Sequence, residues 1–249
     1  MASKVLVRNI CSRSKVEPCF EPLIEGAIRT YQDAFVDSLV AVYLMGSVPR
    51  GEAIAGVSDI DFLGVVCRET EPADLEYLSA RESALAQTFP VVAGVDLEAE
   101  RLDTLAEFRK FVLASDSICI SGTDSFTRRQ QYVERRFLAD LVTPDAPVLI
   151  RSYRAAVERL DSVADEGSLA RYARLTGKDL LKYLRRLALE RGARYERNIG
   201  AIHRQLVTFA PEHGLIADEL YGLYCEPPRA EKARILRVLD QAAETISIG

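Results

Sequence analysis

At 249 residues, 48% of them hydrophobic and 28% charged, the chain has a globular composition and is long enough for one large or two medium domains with a sizeable core. No apolar run approaches a membrane span and the first twenty residues lack the apolar core of a secretion signal; five cysteines without a Cys-x-x-Cys spacing argue for reduced thiols in a cytoplasmic protein, and two histidines are too few for a histidine-based metal site. The net charge of −5 hides an asymmetry, since residues 1–125 carry 11 Lys+Arg against 20 Asp+Glu (−9) whereas 126–249 carry 21 against 17 (+4), which predicts two domains with different tasks, 1–125 and 126–249.

Residues 17–38 place Phe20, Leu23, Ile24, Ala27, Ile28, Tyr31 and Phe35 at helical spacing, an amphipathic helix expected to pack on a sheet. Two apolar strands follow, Leu39–Met45 and Ile60–Val66, expected at the sheet's centre. A helix is predicted over Pro72–Thr88 with Leu75, Leu78, Ala84 and Leu85 inward, then a strand over Phe89–Leu97, a helix over Thr104–Ala114 and a strand over Ser117–Gly122. Beyond about residue 126 the pattern is helical only: 128–141, 146–164, 168–191, 195–209, 217–223 and 229–246, broken by Pro144, Gly167, Gly192, Pro211, Gly214 and Pro227-Pro228. The fold class is therefore α+β, a small mixed sheet with helices on one side, followed by an α-helical bundle.

The stretch Tyr43–Val66 carries the chemistry. An apolar strand ends in Gly46-Ser47, an eleven-residue spacer containing Arg50-Gly51 follows, and Asp59-Ile60-Asp61 opens the next strand. Because strand side chains alternate, Asp59 and Asp61 share a face. Two carboxylates about 4 Å apart repel by roughly 4 kcal/mol at an effective dielectric near 20, which a cation between them relieves. With oxygen donors alone the cation expected is Mg²⁺ or Mn²⁺. Gly46 permits close backbone approach, and Ser47 offers a hydroxyl and an amide to a phosphate.

At these residues the chain resembles the polymerase-beta-type nucleotidyltransferase superfamily, whose signature is a Gly-Ser turn, a spacer and Asp-x-Asp, and within it most nearly the small bacterial aminoglycoside-type enzymes. The resemblance implies a third carboxylate on the following strand. Val95-Asp96-Leu97 fits that context, while Glu98, two residues on along the same face, is the alternative. It also implies transfer of a nucleoside monophosphate, most simply AMP from ATP, to an acceptor hydroxyl with release of pyrophosphate. Asp59, Asp61 and Asp96 would hold two Mg²⁺ ions, and Asp96 would ligate one or take the hydroxyl proton. Gly46 and Ser47 would hold the triphosphate.

Residues 171–204 hold ten Lys+Arg against three acids. At 100° per residue, Arg171, Lys178, Lys182 and Arg185 share one stripe and Leu180, Leu184 and Leu187 another, an anion-facing ridge opposite a core face. In the resemblance, a lysine of the helical domain reaches the nucleotide's terminal phosphates, a part for Lys178 or Lys182. The acidic first half suits a polycationic small-molecule acceptor such as an aminoglycoside. The basic stripe suits tRNA, so a toxin-type enzyme acting on tRNA or protein is the alternative. A non-catalytic nucleotide-sensing module is a third reading. Arg197-Asn198 with His203 also matches the loose Arg-polar-His pattern of HEPN ribonucleases. No heptad or apolar stripe demands an oligomer.

Overall fold

The computed structural model describes residues 4–140, 146–161, 164–227 and 231–248. The contacts divide the chain into two compact units, Val7–Gln131 and Tyr132–Gly249, with the residues up to Leu6 belonging to the latter. The architecture is α+β, a sheet-containing unit followed by helices.

In the first unit four strands, β2 (Leu39–Met45), β3 (Ile60–Val66), β4 (Val95–Arg101) and β5 (Ser117–Gly122), form a mixed sheet in the order β4-β3-β2-β5. β2 is antiparallel to β3 and to β5, whereas β3 and β4 run parallel, with Ile60 opposite Val95 and Asp61 opposite Asp96. Helices α1 (Glu21–Ala34) and α3 (Pro72–Thr88) cover one face, where Phe20, Leu23, Ile24, Ala27, Tyr31 and Phe35 meet Val42, Leu44, Phe62 and Val66. Contrary to the expectation of helices on one side only, α4 (Glu107–Ser115) covers part of the other face, where Val112 and Leu113 pack on Ala41, Tyr43, Met45, Leu63 and Val65. This second apolar layer follows from β2 and β3 being apolar at nearly every position, as a strand covered on both faces must be.

Several details differ from expectation. On α3, Leu78 is buried and Leu85 partly so, but Leu75 and Ala84 face outward, because this amphipathic face is narrow. The strand expected over Phe89–Leu97 begins only at Val95 and runs to Arg101. The residues before it are bonded to the motif loop instead: Gly56 N–H donates to Val91 O, Ala93 N–H to Ser58 O, and Ile60 N–H to Gly94 O. Two short strands, β1 (Lys4–Arg8) and β6 (Gln130–Glu134), form a sheet of their own, where the sequence reading had no strand and the start of a helix.

The helical unit contains α5 (Arg135–Asp140), α6 (Ala146–Arg159), α7 (Glu166–Glu190), α8 (Ile199–Phe209), α9 (Gly214–Cys225) and α10 (Lys232–Ile248). One core runs through it, built on Ala173, Leu180, Leu181, Leu184, Ile202, Leu206, Leu220, Leu223, Val238 and Leu239. α8 starts at Ile199 and not at Tyr195, since Asn198 caps it by accepting the Ala201 N–H at 3.0 Å. The C-terminal end of α7 is met by Arg135, which donates to Leu189 O in the last turn and, at 2.8 Å, to Ala193 O just beyond it. The expected breakers Pro144 and Pro228, and residues 141, 162–163 and 229–230 of the expected helices, lie outside the described residues. No helix among the described residues is long and apolar enough to cross a membrane.

Candidate active site

The site is built where β2 ends and β3 and β4 begin. Gly46 follows the last residue of β2 with φ 80° and ψ −143°, a left-handed backbone that favours glycine. Its missing side chain matters equally: a Cβ there would stand 2.6 Å from the Asp61 Oδ2. The Gly46 amide donates to Asp116 O at 3.2 Å, and α2 (Ser47–Arg50) follows, with Val48 buried in the same core as Leu44, Ile60 and Phe62. The Ser47 side chain makes no hydrogen bond among the described residues, so its hydroxyl is available to a ligand.

The expected shared face is present. Asp59 and Asp61 alternate with Ile60 and Phe62, both fully buried on the α1 face, and Asp61 lies opposite Asp96 on the parallel neighbour. Asp59 and Asp96 are exposed, Asp61 is half-buried, and no ion pair or hydrogen bond engages the Asp59 or Asp96 carboxylate among the described residues. Gly94 serves Asp59 as Gly46 serves Asp61, since a Cβ at Gly94 would lie 3.2 Å from Asp59 Oδ1.

Glu98, the other candidate for the third acid, lies on the same face but is committed elsewhere. Arg109 of α4 pairs with Glu98 and, at 2.6 Å, with Glu100. Burial pushes the Glu98 carboxyl above the ordinary glutamate value; the Arg109 charge works against that, while Asp96 and Glu100 add to it. Asp124 ends in a turn, accepting the backbone N–H groups of Phe126 and Thr127 and the Tyr43 hydroxyl.

The donors are all oxygen, which fits a hard divalent cation. Among the described residues no three acidic, histidine or cysteine side chains converge closely enough to enclose an ion. The strands thus offer carboxylates without a preformed cage, and Mg²⁺ is characteristically bound by one or two carboxylates plus waters and substrate phosphates.

In the helical unit, Leu180 and Leu184 are buried and Leu187 partly so, with Arg171 exposed and Lys178 and Lys182 half-buried. Arg185 departs from the expected ridge. Only 7% exposed, it donates to Glu196 O at 2.8 Å and lies over the Tyr195 ring, whose centroid is 4.4 Å away, with Arg197 at 5.5 Å from the same centroid. Desolvation, reinforced by Lys178, Arg185 and Arg197 and opposed by Asp179, pushes the Lys182 ammonium down to about 8. Its side chain is 41% exposed, so solvent screens part of that penalty. His203 pairs with Asp218 at 2.6 Å and stacks on Tyr221, a setting that accounts for the histidine without ribonuclease chemistry.

Sequence reasoning missed Gly94, Arg109 and Asp116. Gly94 was visible only as a glycine before a strand, and the other two act through partners distant in sequence.

No protein-family model matches the chain, and no curated protein matches it in sequence. Among solved structures the chain is similar to the spectinomycin adenyltransferase AAD(9) from Enterococcus faecialis, a crystal structure with ATP and spectinomycin. The identity is 12% and the TM-score 0.44, over 90% of this chain and 99% of that one. At that level the reading of the site rests on the residues themselves.

Proposed function

We propose that the chain is a Mg²⁺-dependent nucleotidyltransferase that moves a nucleoside monophosphate, AMP from ATP in the simplest case, to the hydroxyl of a small aminoglycoside-type acceptor. The observation that carries this reading is the Asp61–Asp96 register pair, with Asp59 on the same face and the Asp61 carboxylate lying where Gly46 has no side chain. Carboxylates gathered on one face at neighbouring strand starts are the donor type that Mg²⁺ takes together with waters and substrate phosphates.

Asp59, Asp61 and Asp96 would hold one or two Mg²⁺ ions, with Mn²⁺ as a substitute; such ions supply charge stabilisation for the attacking and leaving oxygens of an in-line displacement. The acceptor oxygen forms a bond to the α-phosphorus, the α–β phosphoanhydride bond breaks, and pyrophosphate departs. Asp96, exposed and unpaired among the described residues, is assigned a metal or the hydroxyl proton. Ser47 offers its hydroxyl to the triphosphate, and Gly46 opens the approach. Lys182 or Lys178 is assigned to the terminal phosphates. The acidic surplus of residues 1–125 supports a cationic acceptor.

A second reading, tRNA or a protein as acceptor, draws on the basic stripe of α7. The test is pyrophosphate release from each of the four NTPs with Mg²⁺ against a panel of aminoglycosides, other small alcohols and bulk tRNA. Release with a small alcohol or antibiotic is expected, and Asp61→Asn should abolish it while retaining the circular dichroism of the wild type. Release with tRNA alone selects the second reading, and NTP binding without release under any condition defeats both.

A further inference from the structure

The Arg50-Gly51 of the motif spacer has no part in the chemistry above, yet Arg50 is among the most constrained charges in its unit. Its side chain is 13% exposed and that of Asp116 6%; Arg50 Nη1 lies 2.6 Å from Asp116 Oδ1 and Nε 2.9 Å from Glu52 Oε2. Burial opposes the guanidinium charge, but Asp116 and Glu52 outweigh it and hold the group above the ordinary arginine value. The same Asp116 accepts the Gly46 amide on its backbone oxygen, so both ends of the Gly46–Arg50 turn are fastened to one residue between α4 and β5. The 9–12 segment braces both partners. Ser12 N–H donates to Pro49 O of the turn at 2.9 Å, while on the Asp116 side the Cys11 thiol points at Asp116 Oδ1 and the Asn9 amide donates to Ala114 O and Ser117 O.

A buried ion pair of this kind is costly to assemble, and replacing both partners by apolar groups often leaves stability unchanged, so it is poor evidence of a stabilising role. Its geometry is better explained by register. We propose that Arg50 and Asp116 are positioning residues that fix the Gly46–Ser47 turn against β5, keeping the turn backbone clear of the Asp61 carboxylate and aiming the Ser47 hydroxyl at the ligand. In its catalytic part this inference rests on the nucleotidyltransferase reading. It assigns Arg50 a role through Asp116 and not a contact with phosphate.

The test uses the full chain and three variants: Arg50→Met, Asp116→Asn, and the double variant Arg50→Met/Asp116→Leu. Arg50→Met buries a carboxylate without its guanidinium and is expected to fold poorly; the double variant removes both charges and is expected to fold. In the double variant, amide hydrogen exchange across residues 45–52 should quicken about tenfold or more, with residues 60–66 unchanged. The KM for NTP should rise about tenfold in the double variant and in Asp116→Asn alike, with acceptor KM constant. An arginine that touched phosphate would behave differently, since Asp116→Asn would then leave NTP KM unchanged or lower it. Unchanged exchange over 45–52, or quickened exchange with unchanged NTP KM, overturns the proposal. Should the wild type neither bind nor turn over any NTP, the nucleotidyltransferase reading fails, and the exchange result alone still decides whether the pair pins the turn.

Discussion

Gly46 does two things at once: it adopts φ 80° and leaves room for a carboxylate oxygen 2.6 Å from where a Cβ would be. Gly46→Ala should therefore cost about 1–3 kcal/mol in unfolding free energy and also displace Asp61. The expected result is a loss of at least about 100-fold in kcat, measured as pyrophosphate release, alongside a modest fall in Tm. Lys182 makes a pH prediction. Its folded-state value of about 8 lies below the roughly 10.4 of an unfolded lysine, so between those values the unfolded chain binds more protons and stability rises with pH. Below about pH 8 both states are protonated and the cost of the charge is constant. Lys182→Met should accordingly melt higher than wild type at pH 7, and the gap should narrow by pH 9.5. If Lys182 meets the terminal phosphates, the same variant should raise NTP KM about tenfold at pH 7 and by less at pH 9.5.

The strands β2 and β3 were legible to the residue because each is a long apolar run cut by Gly or Asp, and β5 because Ser117 and Ser121-Gly122 bracket its short apolar centre. The carboxylate pair was legible because alternation alone puts Asp59 and Asp61 on one face. The pairing of Asp61 with Asp96 was not, since parallel register is set by how far the 89–94 segment winds around the motif loop, and nothing local encodes that. The sequence predicts helix over β6 because Gln130–Glu134 has no strong strand former beyond Tyr132 and Val133; its partner β1 supplies the buried Val5 and Val7. β4 is an edge strand, and Glu82 of α3 accepts the Leu97 N–H at 2.7 Å, which occupies a donor that would otherwise face outward. In the helical unit α7 and α9 touch through Gly177, where a Cβ would lie 2.8 Å from Tyr224 N and against the Leu220 carbonyl. Because both obstacles are backbone, Gly177→Ala must push the helices apart. A loss of about 1–3 kcal/mol in chemical denaturation is expected, without faster exchange in residues 39–66.

Across the whole chain the two halves carry opposite charge, −9 over residues 1–125 and +4 over 126–249, and this separates the two acceptor classes by experiment. A nucleic acid held by three phosphate contacts along α7 would lose roughly 20- to 40-fold in affinity between 50 and 200 mM salt. A cationic small-molecule acceptor is weakened too, by screening of the acids it meets, but it releases no counterions condensed on a polyanion, so its KM should rise less steeply over that range. The acid half and the basic stripe were both countable from the sequence. Whether each basic side chain is free for a ligand was not, because Arg185 has the spacing of a ridge residue and yet is buried against Tyr195 and Glu196.

The room that Gly94 leaves for Asp59 has a genealogical side. Unlike Gly46, Gly94 has no positive φ to demand a glycine, so the crowding it avoids comes from the neighbouring carboxylate, 3.2 Å from the position of a Cβ. A descendant that had lost its acid pair would be released at position 94 and could accumulate larger residues there. If the acids serve catalysis as proposed, position 94 works as a fossil gauge: in copies of this gene drifting away from that chemistry, the glycine should erode together with Asp59.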